Sequence, residues 1–98
     1  MRLTEHEVTA IKQAAREAFG DDAVVRLFGS RVHDDLRGGD IDLHVEASPP
    51  TNEWQARGLF EDRLFRQIEP RKIDLVLSRR GTIPRGFERI AYRDGIVL

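Results

Sequence analysis

Asp40-Ile41-Asp42-Leu43-His44-Val45-Glu46 alternates polar and apolar side chains without a break. A strand turns successive side chains to opposite faces, so Asp40, Asp42, His44 and Glu46 share one side and Ile41, Leu43 and Val45 the other. Gly38-Gly39 is a turn signal leading into this strand, and Ala47-Ser48-Pro49-Pro50 ends it. Upstream, Ala23-Val24-Val25-Arg26-Leu27-Phe28 has the β-branched content of a second strand. Downstream, Ile73-Asp74-Leu75-Val76-Leu77 reads as a third, with Ser78 to Gly81 as the loop after it.

The apolar sides of these strands need cover, and the remaining segments have helical spacing. Thr4 and Glu7 form a capping-box pattern ahead of Val8, Ile11, Ala15, Ala18 and Phe19, and Gly20 is a stop, which predicts a helix over 5–19. Asn52 or Thr51 is positioned to cap a second helix carrying Ala56, Leu59, Phe60, Leu64 and Ile68, flanked by Trp54 and Phe65 and closed by Pro70. Trp54 is expected in the core or at an interface. Ile83, Phe87, Ile90 and Ala91 mark a last helix that opens at Pro84 and stops at Gly95. The order helix, strand, strand, helix, strand, helix predicts an α/β (α+β) fold: a small mixed sheet with helices packed on one face.

A chain of 98 residues is expected to form a single domain over 1–98 with one modest core. No apolar run approaches the ~20 residues that span a bilayer, and the N-terminus leads into an amphipathic helix instead of reading as a signal peptide. A cytoplasmic location is expected. The absence of cysteine excludes disulfides, thiol catalysis and thiolate zinc sites. The formal net charge of −1 argues against a basic surface that grips nucleic acid, yet leaves room for a single nucleotide whose charge a metal neutralises.

The chemistry begins with the carboxylates. Asp40 and Asp42 stand about 6.6 Å apart along one strand face. Two ionised carboxylates ~5 Å apart repel by roughly 3 kcal/mol at an effective dielectric of 20, and a divalent cation between them reverses the sign. Magnesium takes such oxygen donors together with phosphates and water. Asp74 interrupts an otherwise apolar strand, where a buried, unpaired carboxylate is costly, so it calls for a cation or for a place at the open edge of the sheet. With it, the set would suit a two-metal arrangement. At the other end of the segment, Gly29 permits close backbone approach to an anion, Ser30 offers an amide and a hydroxyl, and Arg31 adds a charge-assisted contact. Phosphate donors followed by Asp-x-Asp and a third strand aspartate make a metal-dependent nucleotidyl-transfer site.

Several residues read more plainly. His44 is expected at a polar, solvent-facing strand position, and His33, Asp34 and Asp35 in a solvated loop. Arg85, Arg89 and Arg93 recur as a basic stripe on the last helix, expected to be solvated. An EF-hand is excluded because Val45 stands where its loop requires glycine.

Leu27-Phe28-Gly29-Ser30-Arg31, Gly39-Asp40-Ile41-Asp42-Leu43, Lys72-Ile73-Asp74-Leu75-Val76 and the closing Ile90-to-Leu98 segment resemble the minimal nucleotidyltransferases of the DNA polymerase β-like superfamily. The resemblance implies a polymerase β-like nucleotidyltransferase fold using Mg²⁺ and ATP. It implies that Gly29, Ser30 and Arg31 hold the triphosphate, that Asp40, Asp42 and Asp74 ligate metal, and that Asp74 activates the acceptor hydroxyl. Many proteins of this group are antitoxins beside a HEPN-family ribonuclease toxin, to whose tyrosine characterised members transfer AMP. The implied partner is therefore a cognate HEPN toxin in a hetero-oligomer, with no direct nucleic-acid or membrane contact. Two positions depart from the common pattern: Gly39 stands where many relatives have serine, and Val32-His33-Asp34 where many have a glycine. A non-catalytic antitoxin that neutralises by binding is the competing expectation, suggested by the altered loop, the small size and the apolar Ile96-Val97-Leu98 tail. Transfer to a small molecule, as in aminoglycoside nucleotidyltransferases, is a weaker third.

Overall fold

The computed structural model describes residues 3–27, 41–48, 52–81 and 86–98, with the backbone alone at Phe87. These residues form three helices and a four-stranded sheet in the order α1 (Glu5–Phe19), β1 (Val24–Leu27), β2 (Ile41–Ala47), α2 (Glu53–Phe65), β3 (Ile73–Arg79), α3 (Gly86–Asp94) and β4 (Ile96–Val97).

The first helix starts where its cap dictates. The Glu7 amide donates to Thr4 Oγ1 at 3.1 Å, and the Thr4 amide donates to Glu7 Oε1 at 2.9 Å. This reciprocal pair satisfies two of the amides left free at a helix start. At the other end Gly20 adopts φ 110, a conformation open to glycine, and its amide closes on Arg16 O at 3.0 Å. Ala10, Ile11, Ala14, Ala15 and Phe19 are buried along one side. The alanines leave little bulk between the helices, and α1 packs on α2, whose Ala56, Phe60 and Leu64 are buried. Phe19 and Phe60 meet with ring centroids 5.8 Å apart.

The second helix is capped by Asn52, whose side chain accepts from the Gln55 amide at 3.0 Å. It ends earlier than Pro70 suggests. Gln67 and Ile68 both direct their amides to Leu64 O, at 2.9 and 3.1 Å, so the chain tightens into a turn at Arg66 before the proline is reached. Trp54 is 84% exposed, which removes the core from the two places expected for it and leaves an interface: it stands on the helix side away from Ala56 and Phe60.

The strand order is β3-β2-β1-β4. β1 runs antiparallel to β2, with Val25 opposite Val45 and Leu27 opposite Leu43. β3 runs parallel to β2, with Ile41 opposite Ile73 and Leu43 opposite Leu75. A parallel neighbour needs a crossover, which α2 supplies. The expected alternation is borne out: Ile41, Leu43, Val45 and Ala47 are buried against α1 and α2.

The structure alters three readings. β3 continues to Arg79, so Ser78 is a buried strand residue and not part of a loop; the Arg80 amide carries the ladder on to Ala47 O at 2.8 Å. Ile96-Val97 is no free tail but an edge strand antiparallel to β1. Gly95 makes that possible, since a β-carbon there would lie 2.5 Å from the Ala91 carbonyl oxygen. Finally, α1 and α2 cover the apolar face, as expected, whereas α3 places Glu88 and Tyr92 against the opposite one.

Candidate active site

Asp42 and Asp74 are register partners on the parallel pair β2 and β3. Neighbouring strands lie about 4.8 Å apart, and partners in register point to the same face, so the two carboxylates share one short stretch of surface. Asp42 is half-buried and Asp74 exposed. β3 is an edge strand, and that position accounts for an aspartate in an apolar run: its carboxylate keeps its water. Oxygen donors projecting from adjacent strands into solvent are the chemistry that a hard divalent cation takes.

The phosphate end is placed only by its approach. Leu27, the last residue of β1, is opposite Leu43, so the chain leaves β1 beside the Asp42 end of β2. Gly29, Ser30, Arg31 and Asp40 lie outside the described residues, as do His33, Asp34, Asp35 and Arg85. Among the described residues no three His, Asp or Glu side chains stand close enough to hold a metal ion.

Beyond Asp42 the same face carries a polar layer that sequence reasoning missed. His44 is fully buried, which corrects the expectation of a solvent-facing position. Its Nε2 lies 2.8 Å from Ser78 Oγ, and Ser78 Oγ in turn donates to Glu88 Oε2 on α3. Tyr92 packs edge-on against the His44 ring at 4.7 Å between centroids. Arg26 lies 4.6 Å above the Tyr92 ring and pairs with Glu46 at 3.1 Å. Burial holds the His44 pKa below its ordinary 6.5, and the Arg26 charge adds to that, against weaker pulls from Glu88 and Glu46. Burial likewise raises the Tyr92 phenol. The available signal for this layer was the polar side of β2 together with Ser78, Glu88 and Tyr92 downstream; nothing local says that a helix closes over them.

A second polar junction lies at the opposite end of β2. Arg80 donates to Asp22 Oδ2 at 2.5 Å, to Asp22 O at 2.7 Å and to Glu46 O at 3.1 Å. It ties the turn after α1 to the far ends of β2 and β3. On α3, Arg89 and Arg93 are exposed, in keeping with a solvated stripe, and Arg93 is paired with Asp94 at 2.9 Å.

Comparison with protein families agrees with this geometry. Residues 8–96 match the model of the nucleotidyltransferase domain. The chain belongs to that family. Comparison with curated proteins gives no match. Nucleotidyltransferase domains generally use Mg²⁺ and a nucleoside triphosphate, and the paired carboxylates of Asp42 and Asp74 fit such a cation. Among the described residues no helix is long and apolar enough to cross a membrane.

Proposed function

We propose that this nucleotidyltransferase domain is an antitoxin that transfers AMP from ATP to a hydroxyl, a tyrosine hydroxyl in our reading, of a cognate HEPN-type RNase toxin. The observation that carries the transfer chemistry is the in-register pairing of Asp42 with Asp74 at an exposed sheet edge. The antitoxin role rests on the sequence resemblance to minimal nucleotidyltransferases.

Asp42 and Asp74, joined by Asp40, would hold Mg²⁺, which when bound offsets the triphosphate charge and favours the ionised acceptor. Gly29 and Ser30 would present amides and a hydroxyl to the phosphates, and Arg31 a cation. The acceptor oxygen attacks the α-phosphorus, forming a new O–P bond as the bond to pyrophosphate breaks. The Asp74 carboxylate takes the acceptor proton, and pyrophosphate carries away the bonding electron pair. Asp74 suits this task because it is exposed, within reach of a group presented by another protein.

The test is to incubate the chain with ATP, Mg²⁺ and its cognate HEPN-type toxin, sought first in the adjacent reading frame, then weigh that protein intact. An adenylate-sized increment is expected, and its absence with folded proteins overturns the reading. Asp42→Asn separates the alternatives: protection without the aspartate would mean that neutralisation is by binding alone.

A further inference from the structure

We propose that the buried chain His44–Ser78–Glu88 is a positioning device that fixes the register of β3 on β2 and so keeps Asp42 opposite Asp74. The register itself is observed; its consequence for a bound cation rests on the reading of Asp42 and Asp74 given above.

The apolar face cannot fix that register alone. Ile73, Leu75 and Leu77 lie opposite Ile41, Leu43 and Val45, and a slip by two residues would still direct apolar side chains into the core. Such a slip would move Asp74 about 6.6 Å from its place beside Asp42. The polar face distinguishes the two arrangements. His44 is the register partner of Val76, yet it bonds diagonally to Ser78, one pleat further on. A two-residue slip that carries Ser78 further along breaks that diagonal and strands two fully desolvated polar groups, His44 at 0% and Ser78 at 2% exposure. The opposite slip sets Ser78 directly across from His44 but about 6.6 Å from its place beside Glu88, whose helix is seated on His44 by Tyr92. Glu88 fastens the chain to α3, so one linkage spans two strands and the covering helix.

Proton accounting adds a second observation. Ser78 has one hydroxyl proton, and the Glu88 carboxylate can only accept it. With that proton given to Glu88, Ser78 Oγ accepts from His44, the tautomer that carries its proton on Nε2 and a lone pair on Nδ1. Nδ1 is buried and has no hydrogen-bond partner among the described residues. A purely structural contact at this place would be better served by apolar side chains. The orphaned nitrogen is the cost of a bond whose direction is set by Glu88.

The experiment compares wild type with Ser78→Ala and Glu88→Gln in the full chain. Three readouts apply: cross-strand NOEs between Asp42 and Asp74, the ¹⁵N signature of the His44 ring, and Mn²⁺ affinity by EPR. Wild type should show the Nε2–H tautomer. Ser78→Ala should weaken the NOEs, mix the tautomers and lower Mn²⁺ affinity by about tenfold or more, the usual range when support behind a ligand is removed. Glu88→Gln retains an acceptor oxygen and should keep Mn²⁺ affinity within about threefold. Should Ser78→Ala not fold, Glu88→Ala serves: it frees the Ser78 proton and should shift His44 away from pure Nε2–H. Unchanged NOEs and tautomer in a folded Ser78→Ala or Glu88→Ala variant overturn the proposal. A wild type that binds no Mn²⁺ overturns the cation reading instead, and the NOEs and tautomer still decide the register.

Discussion

The two faces of β2 are built from alternate residues of one heptapeptide and obey different rules. On one, Ile41, Leu43, Val45 and Ala47 are buried beneath α1 and α2, where shape and apolar area suffice. On the other, Asp42 stays half-exposed beside the edge strand β3 while His44, one pleat along, is fully enclosed. The apolar face makes the domain cohere; the polar face decides which carboxylates meet. Adjacent residues on this strand should therefore fail in different ways when altered.

The sharpest break between the faces is expected at Asp42 and Leu43. Asp42→Asn should reduce nucleotidyl transfer by at least about a hundredfold, because an amide is a poor magnesium ligand. Its thermal midpoint should stay close to wild type, as checked by intact-mass kinetics beside a melting curve. Leu43→Ala should do the reverse: about 2–5 kcal/mol lost in urea unfolding through the cavity left in the core, with transfer retained in the fraction still folded.

A third outcome concerns the enclosed part of the polar face. His44 has a folded-state pKa below 6.5, so the folded protein binds fewer protons than the unfolded chain below that pH. Its contribution is fully present above about pH 6.5 and is lost as pH falls toward the lowered folded value, with a slope of at most about 1.4 kcal/mol per pH unit. Urea midpoints from pH 7.5 down to 5 should fall in wild type and flatten in His44→Gln. Equal slopes in the two would mean that His44 is not held neutral.

Smaller effects test the frame around these faces. Thr4→Ala removes one half of the capping box and should cost about 1 kcal/mol by chemical denaturation. Trp54→Ala, at a side chain 84% exposed, should leave the urea midpoint unchanged. A large loss there would show that the indole supports the fold after all.

Much of the frame was legible because local chemistry specified it. The capping box at Thr4 and Glu7 and the stop at Gly20 predict a helix over 5–19, and α1 spans Glu5–Phe19. Strict alternation predicts β2 and its buried face. Asp74 was legible as an anomaly, a carboxylate in an apolar run, and the edge position of β3 resolves it. Three features were not legible, each for a nonlocal reason. Ile96-Val97 is too short to announce a strand and becomes one by pairing with Arg26 and Leu27. Ser78 reads as a loop residue because its strand character comes from pairing with Glu46 on β2 and its burial from α3. His44 reads as solvent-facing because the polar side of a strand usually is.

The sequence by itself determined the family of chemistry: a Gly-Ser step, an Asp-x-Asp and a third strand aspartate, with donor types that suit phosphate and a hard cation. Composition and periodicity also determined that strands would bury one face beneath helices, since alternation is a property of the backbone pleat. Only the tertiary structure decided that Asp42 stands opposite Asp74. Residues thirty-two positions apart meet through a parallel pairing whose register is a matter of which side chains bond across it. The closure of α3, with Glu88 and Tyr92, over His44 and Ser78 was decided in the same way. A polar residue reveals that it needs partners, and folding alone determines whether those partners are water or the far end of the chain.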